Sequence, residues 1–526
     1  MRKYLTKRIL FSIFALLVVV MVVMLLVYTL IQRSVIFQTD DIWNKKSNND
    51  RIIYEYTQYS KYGYLSYVDY TSFLKEKYSA LYGDEYASSK EFITDKAAIQ
   101  KDNYQENESV QEFIQKYGAR GYKLRYLEPI KFKSGKAKPG GTGYLIAIEE
   151  KSVVFRLIDY IKGFVTIENV NMVKDPEMTD RYIRVEKDPY SNFYAVVGNG
   201  TQHKYLLYVD GRFPFIHQNL FHINLGVSYT TYRGQEITGV ITNPTGELKT
   251  SLQQYPNDLG TDKWTNTAIN FHSLSYNGSE LSDVEKSQFP DKYTVYTYNR
   301  SGLSMIETSF VIGIIATLIA YLLGLPIGVV NARNKDKFWD KLGNAYIVFI
   351  IAVPSLAYIF MFAAVGTRLF NLPYKFANAT VPVLAYVLPV ISLSLPSIGN
   401  LMKWMRRYMI DQMNSDYVKF ARSGGLSEEE IYRIHISKNA MIYIVHGIPA
   451  SIIYCLTGAI ITERVYAVPG VGNLLTTALN SHDNGIIVAC TVFYTALEII
   501  AVLLGDLLLS KFDPRISLSS EKGGGR

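Results

Sequence analysis

The chain has 526 residues, a formal net charge of +8 and two cysteines, and 48% of its residues are hydrophobic. Two cysteines exclude a disulfide-rich scaffold and a cysteine-rich zinc protein, and the mean hydropathy of +0.04 excludes a chain buried in lipid throughout. At roughly 100–200 residues per domain, the length allows about two to four domains.

Six segments are apolar over about 20 residues, which is long enough to cross a bilayer. A buried core helix would explain one of them but not six. The first has a basic start like a signal peptide. Its apolar run, however, exceeds the roughly 7–15 residues of a signal-peptide core, and no A-x-A cleavage pattern follows. We therefore predict an uncleaved first helix and six membrane spans, at 9–31, 310–330, 345–365, 381–402, 441–461 and 486–509.

The distribution of basic residues predicts the orientation of these spans. With the N-terminus inside, the cytoplasmic segments carry about 19 Lys and Arg, whereas the short loops on the other side carry about three. Both termini are therefore predicted to be cytoplasmic, and residues 34–303 extracellular. Anionic lipid at the cytoplasmic surface explains the excess positive charge, so no nucleic-acid partner is expected.

Residues 34–303 are predicted to form a folded α+β domain between the first two spans. Its first part, from about 41 to 115, favours helices, because apolar and aromatic residues recur near helical spacing. From about 141 onward, apolar runs separated by turn residues favour strands. The helical stripe comprises Tyr54, Tyr59, Tyr62, Leu65 and Tyr70, and the predicted strands are 144–148, 152–157, 193–197 and 205–209.

The sequence contains none of the common catalytic or nucleotide-binding motifs. It has no G-x-x-x-x-G-K-[ST], no H-E-x-x-H, no G-x-S-x-G and no cysteine pair at metal-ligand spacing. We therefore predict a protein that is not an enzyme and that holds no metal or cofactor. Among the acidic residues of the spans, Glu498 lies deep enough to serve either transport or a contact between subunits.

The most informative segment is the predicted cytoplasmic loop at 415–438, whose first half favours a short helix. Ser415 can cap this helix, and Asp416 suits its positive N-terminal end. Gly424 and Gly425 end it, because glycine readily adopts the left-handed conformation found after helices.

The second half of the loop favours another helix, which continues toward the fifth span. Ser427 and Glu430 have the spacing of a capping box at its start. A short rigid helix at the cytoplasmic mouth of a bundle is a docking element, although the same pattern also suits an amphipathic loop lying on the membrane.

This loop resembles the EAA loop of ABC-importer membrane subunits, in the oligopeptide/dipeptide permease branch, which reads approximately Y-V-R-T-A-R-A-K-G-L-S. Two further patches agree: 457–472 resembles T-G-x-x-x-x-E-x-V-F-x-x-P-G-x-G, and 506–516 resembles D-L-L-Y-x-x-L-D-P-R-I. The large insertion is similar to that of the Ami-type oligopeptide permease subunits of streptococci. In the loop Tyr417, Val418, Ala421, Arg422, Gly425, Leu426 and Ser427 match the branch, whereas Phe420, Ser423 and Gly424 depart from it.

The resemblance implies the permease fold of type I ABC importers. The fold class is an α-helical polytopic membrane protein with six transmembrane helices and a large α+β extracellular domain between helices 1 and 2. The expected division is 1–33 for the cytoplasmic N-terminus and first helix, 34–303 for the extracellular domain, 304–518 for the permease core and 519–526 for a cytoplasmic tail.

The resemblance also implies a permease subunit that takes up oligopeptides from an extracellular substrate-binding lipoprotein. The implied partners are a second homologous permease subunit and two cytoplasmic ATPases, which use ATP and Mg, in the plasma membrane of a Gram-positive bacterium. Loop 415–438 is then the ATPase-coupling loop. Its implied coupling residues are Asp416, Tyr417, Val418, Ala421, Arg422, Gly425, Leu426, Ser427 and Glu430.

Several residues of the spans are candidates for the translocation path or its gate. Prolines break membrane helices and free backbone carbonyls, which is tolerated where these face protein or a water-filled path; simple packing kinks are the alternative. Residues 468–470 are expected to form a re-entrant turn. The candidates are Pro354, Pro389, Pro396, Glu463, Pro469, Gly470 and Glu498.

A function of another class also fits the layout. A membrane-anchored peptide receptor or sensor would bind its ligand with the extracellular domain and signal through the basic loops, although the sequence contains no recognisable signalling domain.

Overall fold

The computed structural model describes residues 2–512, apart from 31, 39, 135, 137, 174–178, 189–190, 210–214, 244 and 380, and apart from most of 246–301, where four short strand segments are described. The predicted tail at 519–526 and the last part of the 506–516 motif lie outside the described residues, as does much of the end of the predicted extracellular domain.

The first helix, α1 (Arg2–Leu30), runs without interruption over the first apolar segment. An α+β unit follows it, and we call residues 34–303 the inserted domain. Its helices are α2 (Asp41–Lys45), α3 (Asn48–Lys61), α4 (Tyr70–Tyr82), α5 (Lys90–Ala98), α6 (Glu108–Gly118), α7 (Val153–Phe164) and α8 (Ile237–Thr242). Its strands are β1 (Leu65–Asp69), β2 (Lys123–Leu127), β3 (Tyr144–Glu150), β4 (Val165–Ile167), β5 (Tyr182–Lys187), β6 (Tyr194–Asn199), β7 (Tyr205–Val209), β8 (Ile216–Gln218), β9 (Phe221–Ile223), β10 (Ser251–Gln253), β11 (Lys263–Thr265), β12 (Ser275–Tyr276) and β13 (Thr294–Val295).

The inserted domain contains two main antiparallel sheets. One has the strand order β1-β3-β2 and the other the order β5-β6-β7-β8. Helices α4 and α6 pack on the first sheet through an aromatic core in which Phe73 and Phe113 are buried. Both helices begin at side-chain caps, since Asp69 accepts from the backbone N–H of Ser72 and Asn107 from that of Val110.

Two predictions for this domain are wrong. The predicted helical stripe does not continue to Leu65, which lies in β1 after α3 has ended. The predicted strand at 152–157 is the start of α7, because the Ser152 hydroxyl caps the backbone N–H of Phe155. An apolar run beginning Val-Val-Phe suits a strand or a buried helix equally, and here the cap and the packing against α1 select the helix.

The second apolar part of the chain consists of helices. They are α9 (Met305–Arg333), α10 (Phe338–Ala352), α11 (Ser355–Phe370), α12 (Leu384–Met413), α13 (Asp416–Ser423), α14 (Glu428–Glu430), α15 (Ser437–Val445), α16 (Ile448–Tyr466), α17 (Val471–Asn480) and α18 (Asn484–Phe512), with a π-helical stretch at Ile431–Ile436 that joins α14 to α15. Short 3-10 helices lie at Arg33–Phe37, Gly83–Ser88, Tyr104–Glu106 and Phe376–Asn378.

Five helices among the described residues, α1, α9, α12, α16 and α18, are long and apolar enough to cross a membrane. The third predicted span is not one straight helix: α10 and α11 meet at 110°, and counting this pair as one crossing raises the number to six. Pro354 lies at the bend, as the N-cap of α11. Pro389 and Pro396, by contrast, lie inside α12, which continues through both, so the predicted breaks at these two prolines are wrong.

Helices α9 and α12 form the centre of the membrane part because small residues let their backbones approach closely. A Cβ on Gly324 would lie 2.9 Å from the Cβ of Leu401, and one on Gly328 would lie 2.8 Å from the Cβ of Met405. Near the end of α12 that precedes residue 415, Arg406 forms a bidentate ion pair of 2.6 and 2.7 Å with the buried carboxylate of Asp340 in α10. This ion pair also attaches α10 to α12.

Candidate functional site

Loop 415–438 folds as two helices joined by a tight turn, as predicted. The first is α13, with Ser415 at its N-cap position, but the Ser415 side chain makes no capping hydrogen bond. The predicted side-chain cap is therefore wrong. Asp416 in the first turn instead pairs with Lys419 at 2.9 Å.

The turn after α13 depends on Gly425, whose φ of +82° lies in the left-handed region. The backbone N–H of Leu426 donates to the carbonyl of Ala421 at 3.2 Å, which closes the helix end. The second helix opens with the predicted capping box, in which the Glu430 carboxylate accepts from the backbone N–H of Ser427 and the Ser427 hydroxyl accepts from that of Glu430.

An ion pair spans this turn. Arg422 donates to both oxygens of Glu428, at 2.6 and 3.1 Å. The hydrogen bond from Arg422 lowers the pKa of the Glu428 carboxyl, so the pair remains charged around neutral pH. The two short helices are therefore joined by both backbone and side-chain contacts.

The inner face of the loop is anchored in the membrane part. Val418 is fully buried in a cluster with Met405 and Met409 of α12 and with Ile431 and Ile436. This packing joins α13 to the end of α12, the membrane helix that precedes the loop.

The opposite face of α13 is exposed, and its largest apolar side chain is Phe420, which is 76% exposed. Phe420 is not among the predicted coupling residues, because it departs from the pattern of the resembled loop. The spacing of the apolar residues in α13 could nevertheless have indicated it. Val418 and Phe420 are two positions apart and so point to nearly opposite sides of a helix, which predicts that one of them faces away from the membrane part.

Replacing Gly425 with valine is expected to uncouple transport without preventing membrane insertion. Space is not the obstacle, since no atom lies within 4 Å of a Cβ at this position. The obstacle is the left-handed backbone, which costs a β-branched residue about 1–3 kcal/mol. The matched control is Gly424→Val, because Gly424 has an ordinary φ of −76°. Transport and membrane insertion of both variants would be measured, and equal transport would contradict the role of the turn.

Introducing a charge on the same helix is expected to have a similar effect for a different reason. Ala421 is partly buried and packs against the cluster that contains Val418, so Ala421→Asp would place a carboxylate at an apolar contact. Normal transport by this variant would argue against α13 as a coupling element.

A second candidate site surrounds Glu463, which is fully buried in α16. Its carboxylate accepts from the Ser309 hydroxyl of α9 at 2.7 Å and from the backbone N–H of Asn473 at 3.0 Å. The Ser309 hydroxyl in turn accepts from the backbone N–H of Val471 at 3.0 Å. The carboxylate thus satisfies N–H groups at the start of α17 and stabilises the positive end of that helix.

The turn at 468–470 brings two further candidates to this site. A Cβ on Gly470 would lie 2.3 Å from a carboxylate oxygen of Glu463, so glycine is required for this approach. Pro469 precedes it, and Ala467 ends α16 in a left-handed conformation at φ +52°. The structure therefore brings together Glu463, Pro469 and Gly470.

The other path candidates lie elsewhere. Pro354 is exposed at the 110° bend, Pro389 is buried in α12, and Pro396 is partly buried in the same helix. Glu498 is partly exposed in α18, and among the described residues it has no hydrogen-bond or ion-pair partner. The described residues also contain no group of three or more His, Cys, Asp or Glu side chains that could hold a metal ion.

Sequence reasoning missed the contact that ties the inserted domain to the membrane part. The fully buried carboxylate of Asp483, between α17 and α18, accepts from the backbone N–H groups of Tyr229, Thr230 and Thr231 at 2.9–3.0 Å. It also accepts from the Ser228 hydroxyl at 2.7 Å. We call these five residues the Asp483 clamp.

Two neighbouring contacts reinforce the clamp. The Asn484 amide donates to the Tyr64 hydroxyl at 2.9 Å; burial raises the pKa of Tyr64 to about 12, so this hydroxyl stays protonated. A Cβ on Gly485 would lie 2.1 Å from the carbonyl oxygen of Val227, which shows how closely the two backbones approach. No local sequence pattern indicates such a contact.

The comparisons with known proteins agree with the resemblance. The binding-protein-dependent transport system inner membrane component family matches residues 324–518. The chain is 35% identical to the oligopeptide transport system permease protein AmiC of Streptococcus pneumoniae serotype 4, over 100% of both chains. It is 30% identical to the dipeptide transport system permease protein DppB of Bacillus subtilis, over 40% of this chain and 68% of that protein.

Among solved structures, a chain of the MetNI methionine ABC transporter in an inward-facing conformation aligns at 11% identity and a TM-score of 0.34, over 40% of this chain and 94% of that chain. The predicted family resemblance is confirmed by the full-length match, whereas a receptor or sensor is not favoured. The chain is a multi-pass membrane protein and belongs to the family of binding-protein-dependent transport system inner membrane components, the permease subunits of ABC transporters.

Proposed function

We propose that the chain is the transmembrane permease subunit of an ATP-driven importer that takes up oligopeptides from an extracellular substrate-binding lipoprotein. The observation that carries this proposal is the 35% identity to AmiC over 100% of both chains. That alignment includes the inserted domain, whereas the match to DppB covers 40% of this chain.

In this proposal the partners are a second homologous permease subunit and two cytoplasmic ATPases, which bind ATP and Mg. The chain itself binds no cofactor and is not an enzyme. Both termini lie in the cytoplasm and residues 34–303 outside, in the plasma membrane of a Gram-positive bacterium. The charge asymmetry of the short loops supports this orientation.

The coupling step follows from the geometry of loop 415–438. Closure of the ATPases moves α13, which presents Phe420 to them, as a rigid body. Val418 transfers the displacement to α12 through Met405 and Met409. The coupling residues are Asp416, Tyr417, Val418, Ala421, Arg422, Gly425, Leu426, Ser427 and Glu430.

We place one gate at the start of α17, on the extracellular side. Glu463 joins α9, α16 and α17 there, so a movement of α9 against α16 must strain or release its hydrogen bonds. Pro354, Pro389, Pro396 and Glu498 remain candidates for the path, because their neighbours in a permease dimer would decide what they face.

Peptide uptake in a strain lacking the chain tests this function. Labelled oligopeptide uptake should be lost and should return with the intact chain but not with Gly425→Val. Purification of the tagged chain should also recover two ATPase subunits. Unchanged peptide uptake in the deletion strain would overturn the proposal.

A further inference from the structure

Helix α7 of the inserted domain carries large apolar side chains on the side that faces away from its packing partners. Val154 and Phe155 are each 65% exposed, and Ile158 and Ile161 are each 40% exposed. Val154, Ile158 and Ile161 share one side of the helix because of their spacing i, i+4, i+7, and Phe155 lies at the edge of that side. We call these four residues the α7 patch.

A two-stranded ladder whose first strand follows α7 directly in the chain is also apolar and exposed. Strand β4 follows α7 directly and pairs with β9, and its register sets Val165 opposite Ile223 and Ile167 opposite Phe221. All four side chains are exposed. No described residue covers the patch or these pairs. Large contiguous apolar patches are rare on soluble surfaces and mark contacts with a protein or a membrane.

The other face of α7 packs against α1 and so fixes the position of α7 along that membrane helix. Leu157, Tyr160 and Phe164 pack against a cluster that contains Val20, Met24 and Val27 of α1. The buried Arg156 places its guanidinium carbon 3.5 Å from the ring centroid of Tyr28, near the end of the same helix. Helix α7 is therefore attached to the last turns of α1.

These turns lie at the edge of the lipid. The apolar span of α1, Thr6–Leu30, has 25 residues, or about 37 Å at about 1.5 Å per residue, while the hydrocarbon core is about 30 Å thick. Tyr28 therefore lies near the headgroups. The surface of α1 on this stretch is itself exposed and apolar, with Leu25, Leu26 and Leu30 pointing outward.

We propose that the α7 patch and the β4–β9 ladder lie in the headgroup and upper acyl region of the bilayer, beside α1. The inserted domain would then be held on the lipid surface by an interfacial helix as well as by the Asp483 clamp. Lys162 favours lipid as the molecule that covers this surface, because Lys162 is exposed beside the patch and forms no ion pair with a described residue. Its ammonium group can reach a lipid phosphate.

Fluorescence quenching by lipid tests the proposal on the full-length chain in nanodiscs. Bimane would be attached to Ile158→Cys or, separately, to Phe155→Cys, and nanodiscs of phosphatidylcholine with and without brominated acyl chains would be compared. Both native cysteines are buried, so the unsubstituted chain reports background labelling. The control is Asp102→Cys, because Asp102 is an exposed polar residue of the same domain that lies outside α7 and the β4–β9 ladder.

Quenching by brominated lipid should be several-fold stronger at positions 155 and 158 than at position 102, with emission shifted to the blue. Equally weak quenching at all three positions would overturn the proposal. The second permease subunit is the rival occupant. If co-expression of that subunit abolished lipid quenching at both positions, the face would belong to a protein partner and the proposal would be wrong.

Discussion

Asp483→Ala is expected to destabilise the attachment of the inserted domain by several kcal/mol. The substitution removes the acceptor of three backbone N–H groups and of the Ser228 hydroxyl, all of them buried or partly buried. Each buried donor left without a partner costs about 1–3 kcal/mol. It also removes the side-chain acceptor of the Ile486 N–H at the start of α18.

Thermal unfolding of the full chain and the rate of tryptic cleavage within the inserted domain would measure this effect. Asp483→Asn has the same size but turns an amide N–H₂ toward donors, so it should be intermediate. The control is Asp102→Ala, an exposed acid of the same domain. If Asp483→Ala changed stability and cleavage no more than Asp102→Ala does, the clamp would not hold the domain.

Glu463→Ala is expected to reduce peptide uptake by about tenfold or more, since about 1.4 kcal/mol on a limiting step is already a factor of ten. The variant leaves the Ser309 hydroxyl and the start of α17 without their buried acceptor. Uptake would be measured at equal amounts of assembled complex. Uptake within twofold of the unsubstituted chain, on the order of 0.4 kcal/mol, would exclude this carboxylate from the gate.

Gly470→Ala provides an independent test of the same site. The φ of Gly470 is −121°, which alanine adopts without strain, so any loss must come from the 2.3 Å approach of the new Cβ to the Glu463 carboxylate. Gly470→Ala alone should impair uptake strongly. In the Glu463→Ala background it should add little, because the clashing group is gone. Fully additive effects of the two substitutions would contradict the contact.

Features that depend on neighbouring residues were predictable from the sequence. The Ser427–Glu430 capping box and the left-handed Gly425 follow from residue types a few positions apart, and both are present in the structure. The long apolar runs likewise predict membrane helices, since length and composition alone decide whether a helix can cross a bilayer.

Predictions from local sequence patterns were wrong where one pattern is compatible with two different structures. The run that begins at Ser152 suits a strand as well as a helix, and packing against α1 decides for the helix α7. Proline equally marks a bend or a tolerated interior position. Pro354 lies at a 110° bend between two helices, whereas Pro389 and Pro396 lie within one continuous helix, whose neighbours stabilise it.

By itself, the sequence determined the membrane helices, the two-helix form of loop 415–438 and, through its motifs, the family of the chain. Only the tertiary structure decided how the inserted domain is attached and which groups the buried acids contact. Ser228 and Asp483 are 255 positions apart, and Ser309 and Glu463 are 154 apart. Hydrogen bonds over such separations leave no periodicity or spacing in the chain, because they depend on which surfaces folding brings together.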